Sequence, residues 1–121
     1  MQPVQVQVIG TGTSTPIIPD IKQDPFNIGI GVTLGSGTAT FAVEHCFEFA
    51  TVMSPTWNGT TGVTWFQNTG LGGTAAGTTL TTIGMNGNYA FPVAAIRLNV
   101  LSPANATTPV VMNLLQATNS P

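Results

Sequence analysis

The stretch Glu44-His45-Cys46-Phe47-Glu48 is where ionisable and nucleophilic side chains crowd most closely in these 121 residues. A histidine beside a thiol and two carboxylates suggests either a base-activated cysteine nucleophile or a metal-ligand set. Both readings depend on the element that carries them. The flanking residues Thr38 to Phe49 have the composition of a strand, and along a strand neighbouring side chains point to opposite faces. His45 then shares a side with Phe41, Val43, Phe47 and Phe49, while Glu44, Cys46 and Glu48 share the other. A Glu-His-Cys cluster fails on that geometry. Two carboxylates and a thiol without histidine also make a poor zinc site. His45 is therefore read as a core or rim histidine with a hydrogen-bonded ring nitrogen. Cys46, the only cysteine, reads as a small buried hydrophobe.

The remaining candidates for chemistry are few. Asp20 and Asp24 flank Lys22, a spacing that suits a solvated loop and a weak surface ion pair. A carboxylate pair for glycoside hydrolysis would have to be drawn from Asp20, Asp24, Glu44 and Glu48, of which Asp20 and Asp24 fall in that loop. Gly10-Thr11-Gly12 and Gly29-Ile30-Gly31 lack both the full spacing and the following helix of a phosphate-binding loop. Asn58-Gly59-Thr60 and Asn105-Ala106-Thr107 match the glycosylation tripeptide, which has meaning only in a secreted chain. The N-terminal residues carry no secretory leader pattern, so the chain is expected to be made and used in cytosol. Catalytic residues, cofactor and metal are all expected to be none.

Aromatic residues offer a different kind of site. Trp57, Trp65 and Phe66 could stack against a sugar, but Trp65 and Phe66 fall on opposite faces of one short strand. Trp57 lies with Met53 and Pro55 in the turn-rich excursion from Ala50 to Gly62. Trp and Met are enriched in interface centres, so Met53, Pro55 and Trp57 are candidate interface residues; a lid over the domain's own core is the other reading of Trp57. Arg97 alternates with Ile96 and Leu98, which points it away from the core and toward a carboxylate of a partner or of Asp20 or Asp24.

Composition bounds the class of function. Six side chains are charged, two Lys and Arg and four Asp and Glu, or 5 % of the chain, against about one quarter in ordinary globular proteins. Only Lys22 and Arg97 are cationic, too few to neutralise phosphates, so direct nucleic-acid binding is not expected. No apolar run approaches the ~20 residues of a membrane-spanning helix. An apolar fraction of 42 % excludes low-hydrophobicity disorder. A surface of Thr, Asn, Gln and Gly in place of charges suits life inside an assembly.

The elements that must position these residues are strands, because Gly, Pro and β-branched residues interrupt every helical window. Val4, Val6 and Val8 alternate with Gln5 and Gln7; Phe26, Ile28, Ile30, Val32 and Leu34 alternate with Asn27, Gly29, Gly31 and Thr33. Gly35-Ser36-Gly37 suggests a hairpin joining the second of these to the strand from Thr38. Further strands are expected over Val63 to Gln67, Thr78 to Met85, Tyr89 to Val93, Ile96 to Val100 and Pro109 to Ala117, the last buried on both faces. Asn86-Gly87-Asn88 signals a tight turn. The fold class predicted is all-β: a single-domain two-sheet β-sandwich over residues 1–121, Greek-key or jelly-roll, with about seven to eight strands. Residues 1–20 are free in this reading to extend as an N-terminal arm that adds to a neighbouring sheet.

Ala42-Val43-Glu44-His45-Cys46-Phe47-Glu48, Thr64-Trp65-Phe66-Gln67 and the segment from Gly87-Asn88-Tyr89-Ala90-Phe91-Pro92-Val93 to Ile96-Arg97-Leu98-Asn99-Val100 together resemble small structural proteins of tailed bacteriophages. The resemblance runs from about Val4 to Gln116. It implies a capsid cement or decoration protein on the capsid exterior, made in the host cytoplasm, without enzymatic activity. The implied partners are the major capsid protein and further copies of the chain, as a dimer or trimer. A head-tail or tail-fibre component is a second structural reading, and a carbohydrate-binding module using Trp57 is the alternative from another class.

Overall fold

A computed structural model describes residues 3–21, 26–35, 37–68, 78–80, 85–103, 105 and 107–116. The alternating segments form strands β1 (Val4–Val8), β2 (Gly12–Thr13), β3 (Ile28–Leu34), β4 (Ala39–Cys46), β5 (Phe66–Gln67), β6 (Thr78–Leu80), β7 (Met85–Tyr89), β8 (Ala95–Ser102) and β9 (Val110–Gln116), with one helical turn, α1 (Phe49–Val52). They build two antiparallel sheets, ordered β1-β9-β3-β7 and β2-β8-β4-β5, with β6 also pairing β4. Outermost strands pair with outermost: β1 with β9, β2 with β8, β3 with β7, β4 with β5 and β6. A chain folded as one long hairpin and rolled so that β9 meets β3 and β8 meets β4 is a jelly roll. The two-sheet β-sandwich is as the alternation predicts.

The core lies between the sheets. Ile28, Ile30, Val32 and Leu34 of β3 and Val110, Met112 and Leu114 of β9 face Phe41 and Val43 of β4 and Ile96, Leu98 and Val100 of β8. Fully burying a side chain of this size stabilises by about 1.5–3 kcal/mol. A second, smaller core forms on the outer face of the β4 and β8 sheet, where Cys46 and Ala95 are register partners. There Val52, Trp57, Val63 and Trp65 of the excursion after β4 cover Cys46, Ala94 and Ala95. The excursion packs on its own domain, and β4 is buried on both faces.

Several local expectations change. The strand expected over Tyr89 to Val93 is absent, since β7 ends at Tyr89 and Pro92 follows, and the one expected over Val63 to Gln67 shrinks to Phe66–Gln67. The Gly35 to Gly37 connection is no hairpin: β3 and β4 lie in different sheets, because crossing over sets their two apolar faces against each other across the core. The strand expected to reach Phe49 stops at Cys46, and the chain winds into α1 through Val52 N–H to Glu48 C=O and Met53 N–H to Phe49 C=O. Asn86-Gly87-Asn88 is the interior of β7, not a turn; Asn86 and Asn88 pair with Gly31 and Gly29, whose missing side chains leave room on the outer face. The last strand is buried on one face only, with Leu115 60 % exposed.

The N-terminal segment is not a free arm in this structure. Val4–Val8 is the edge strand of one sheet and Gly12–Thr13 of the other, joined by a corner in which Gly10 takes φ +81°. Beyond β2 the edge continues irregularly: Ser14 and Leu98 exchange two hydrogen bonds, and Ile17 and Ile96 exchange two more. Buried Gln116 then clamps Asp20, donating Nε2–H to its carbonyl at 2.9 Å and accepting its N–H at 3.0 Å. Lys22 and Asp24, expected to accompany Asp20 in a surface loop, lie outside the described residues.

Candidate functional site

His45 is the floor of the site, and β4 puts it there. It follows Phe41 and Val43 on the inner face but lies near the end of the strand, where the sandwich opens between β5 and the end of β7. Phe66 is its register partner on β5, so both rings project into the same mouth. Tyr89 closes β7 on the inner face of the opposite sheet and holds His45 Nδ1 at 2.7 Å from its hydroxyl. The Asn68 side chain also hydrogen-bonds the Tyr89 oxygen. The direction of the bond between His45 Nδ1 and the Tyr89 hydroxyl follows from the tautomer of the ring.

Burial lowers the His45 pKa from its ordinary value, against the smaller opposing pull of the Glu44 charge. Burial likewise raises the Tyr89 hydroxyl. Both groups are therefore held uncharged at neutral pH.

Around this pair stands an aromatic cluster. The His45 ring centroid lies 4.9 Å from Tyr89, 5.2 Å from Phe47, 5.7 Å from Phe91 and 6.0 Å from Phe66. Three of these four contacts are edge-to-face, the arrangement that ring quadrupoles favour. With Gln67, Asn68, Asn88 and Ala90, His45 and the three phenylalanine rings line an open cavity of about 560 Å³. Phe47 also lines a smaller neighbouring hollow with Phe49, Ile21 and Pro92.

The chain has six phenylalanines. Phe26 and Phe41 are in the core, whereas Phe47, Phe49, Phe66 and Phe91 are 50, 44, 47 and 47 % exposed along this one rim. A cluster of half-exposed aromatic side chains with uncharged amides around it has the anatomy of an interaction surface. Sequence reading put Phe47 and Phe49 on the His45 face and weighed Phe66 for stacking, but did not join them to Phe91. β4 and β7 end just before Phe47, Phe49 and Phe91, β5 begins only at Phe66, and period-2 alternation carries no information on where a sandwich opens.

The residues selected from sequence have other positions. Arg97 is no outward hook: its Nε bonds Glu44 Oε1 at 2.7 Å, with the two side chains 14 and 10 % exposed. Asn99 Nδ2–H donates to the other Glu44 oxygen at 3.3 Å, and the guanidinium lies 4.2 Å over the Trp65 ring. The carboxylate that Arg97 meets is thus Glu44, its register neighbour on β4. Trp57 is half-buried as a lid on the second core, with its indole N–H donated to the Thr61 carbonyl at 2.8 Å. Met53 and Pro55 are exposed on the outer side of the same excursion. Trp57, Asn58, Thr60 and residues Thr13 to Pro16 line a groove of about 450 Å³.

The geometry bears out the separation of His45 from Glu44 and Cys46. His45 faces the inner mouth, Cys46 is buried in the outer core, and burial, with the Glu48 charge adding to it, raises the thiol pKa. Glu48 is occupied in tying the excursion together: its carboxylate accepts the Thr64 N–H at 2.7 Å and the Phe47 N–H at 3.2 Å. Among the described residues no group of three His, Cys, Asp or Glu could hold a metal ion. No described helix is long and apolar enough to cross a membrane. Comparison of the chain with protein-family models, with curated proteins and with solved structures gives no match.

Proposed function

We infer that this chain is a structural virion protein without enzymatic activity, a bacteriophage capsid cement or decoration component that works on the capsid exterior. It seats the Phe47, Phe49, Phe66 and Phe91 rim on the major capsid protein. The observation that carries this reading is the rim itself, four phenylalanines exposed together on a chain with 5 % charged residues. Desolvating such a surface costs little, and aromatic anchors supply most of the energy of many interfaces. The jelly roll supports the reading only at fold level, since capsid and lectin domains share it. A modest contact repeated over a shell gains strength through avidity when copies are linked. The head-tail or tail-fibre role is the same chemistry at another station on the particle.

The test is binding of purified protein to capsids that lack it. Stoichiometric binding is expected for the wild type. Phe91→Ala removes an anchor worth about 2 kcal/mol in the hot-spot range, so its affinity falls about thirtyfold. No binding by the wild type would sink the reading.

The groove beside Trp57, where an indole meets Thr, Ser and Asn side chains, favours one second reading, a carbohydrate-binding module. Glycan-array binding that is lost on Trp57→Ala, with capsid binding absent, would select it.

A further inference from the structure

We propose that β1 is a self-association edge, pairing antiparallel with β1 of a second copy about a two-fold axis at Val6. Two copies of the four-stranded sheet then join into one continuous sheet. The inference stands on the strand alone and does not depend on the capsid reading.

β1 lies at the end of the order β1-β9-β3-β7, and no described strand pairs with its outer side. Natural edge strands are guarded by charge, proline, bulges or extreme shortness. Val4–Val8 has none of these: it is uncharged, free of proline, and in unbroken register with β9 over all five residues. The other sheet ends in β2 and β5, two residues each. The far edge of the same sheet, β7, carries Asn-Gly-Asn, residues depleted in strands.

The sequence of the edge is its own mirror. Val-Gln-Val-Gln-Val reads the same from either end, so antiparallel pairing about Val6 sets Val4 against the partner's Val8, Gln5 against the partner's Gln7, and Val6 against the partner's Val6. A two-fold interface requires such self-complementarity. A slip of one residue would oppose valine to glutamine and turn the apolar set outward. Pro3 falls outside the five paired positions.

Both faces profit from this register. Val4 and Val6 pack against the main core but are only partly buried, and a strand laid beside them covers the remainder. On the outer face Gln5 already donates its amide to Asn113 Oδ1 at 2.9 Å. Gln7 and the partner's Gln5 extend that row of amides across the joint. Five residues pair over an area below the 1,200 Å² of a standard interface, so the dimer is concentration-dependent.

Sedimentation velocity from micromolar to near-millimolar protein is the test, on the full chain. The wild type is expected to move from monomer to dimer. Gln5→Lys with Gln7→Lys sets like charges opposite each other twice and holds the protein monomeric. Gln5→Glu with Gln7→Lys sets opposite charges in the same places and restores or tightens the dimer. Both glutamines are exposed and both variants carry two substitutions, so a folding defect would show equally in the two melts. Val6→Cys in a Cys46→Ala background should oxidise to a covalent dimer, because facing residues of an antiparallel pair are within disulfide reach. A control cysteine at exposed Leu115 should not. A wild type that stays monomeric, or a dimer indifferent to the double-lysine change, overturns the proposal.

Discussion

His45 faces two opposing demands, a ring nitrogen that titrates near neutrality and a setting of aromatic rings that disfavours its charge. The folded protein holds the pKa below the ordinary 6.5, so as pH falls through that value the unfolded chain takes up a proton first. Stability therefore decreases from pH 7 toward the lower folded-state value. His45→Gln keeps a hydrogen-bonding side chain without titrating, and its melting temperature should stay flat across that window where the wild type falls. Arg97 carries a second prediction. Removing it strands Glu44 with Asn99 as its remaining hydrogen-bond partner and uncovers the Trp65 face, so Arg97→Ala should cost about 3 kcal/mol in denaturant unfolding, and Arg97→Lys less. The role of His45 was legible because alternation alone separates it from Glu44 and Cys46. The Arg97 partner was not, since Glu44 meets it only through a cross-strand register that a linear sequence does not contain.

At the scale of elements, the glycines separate two kinds of constraint. Gly62 takes φ +81°, and a Cβ there would come within 3.1 Å of Thr51 Cγ2. Gly62→Ala should therefore lower stability by about 1 kcal/mol or more and loosen the excursion over the second core. Gly31 sits in ordinary β3 geometry with nothing within 4 Å of where its Cβ would be. Gly31→Ala should leave the melting temperature unchanged or raise it slightly. The strands themselves were readable from valine and isoleucine at every second position. Their connections were not: Gly35 to Gly37 looks like a hairpin and is a crossover, and Asn86-Gly87-Asn88 looks like a turn and is strand interior. In both cases local turn chemistry lost to tertiary pairing, which buries the apolar face of β3 against the opposite sheet and sets asparagines beside its glycines.

Across the whole molecule, a charge-poor chain has folded three of its four described charges into internal work. Glu44 and Arg97 neutralise each other and Glu48 holds backbone N–H groups, while four phenylalanines remain at one rim. Two-sheet architecture was legible from periodicity and turn spacing. The rim was not, because exposure at a sandwich mouth depends on where two sheets stop relative to each other. The most direct measurement is an image of shells that lack this protein after incubation with it, comparing wild type with Phe47→Ser and Phe91→Ser. Symmetric, stoichiometric density with the phenylalanine rim against the shell, lost in both variants, is the predicted result; wild-type protein that leaves the shells bare, or binds with that rim turned to solvent, would contradict the account.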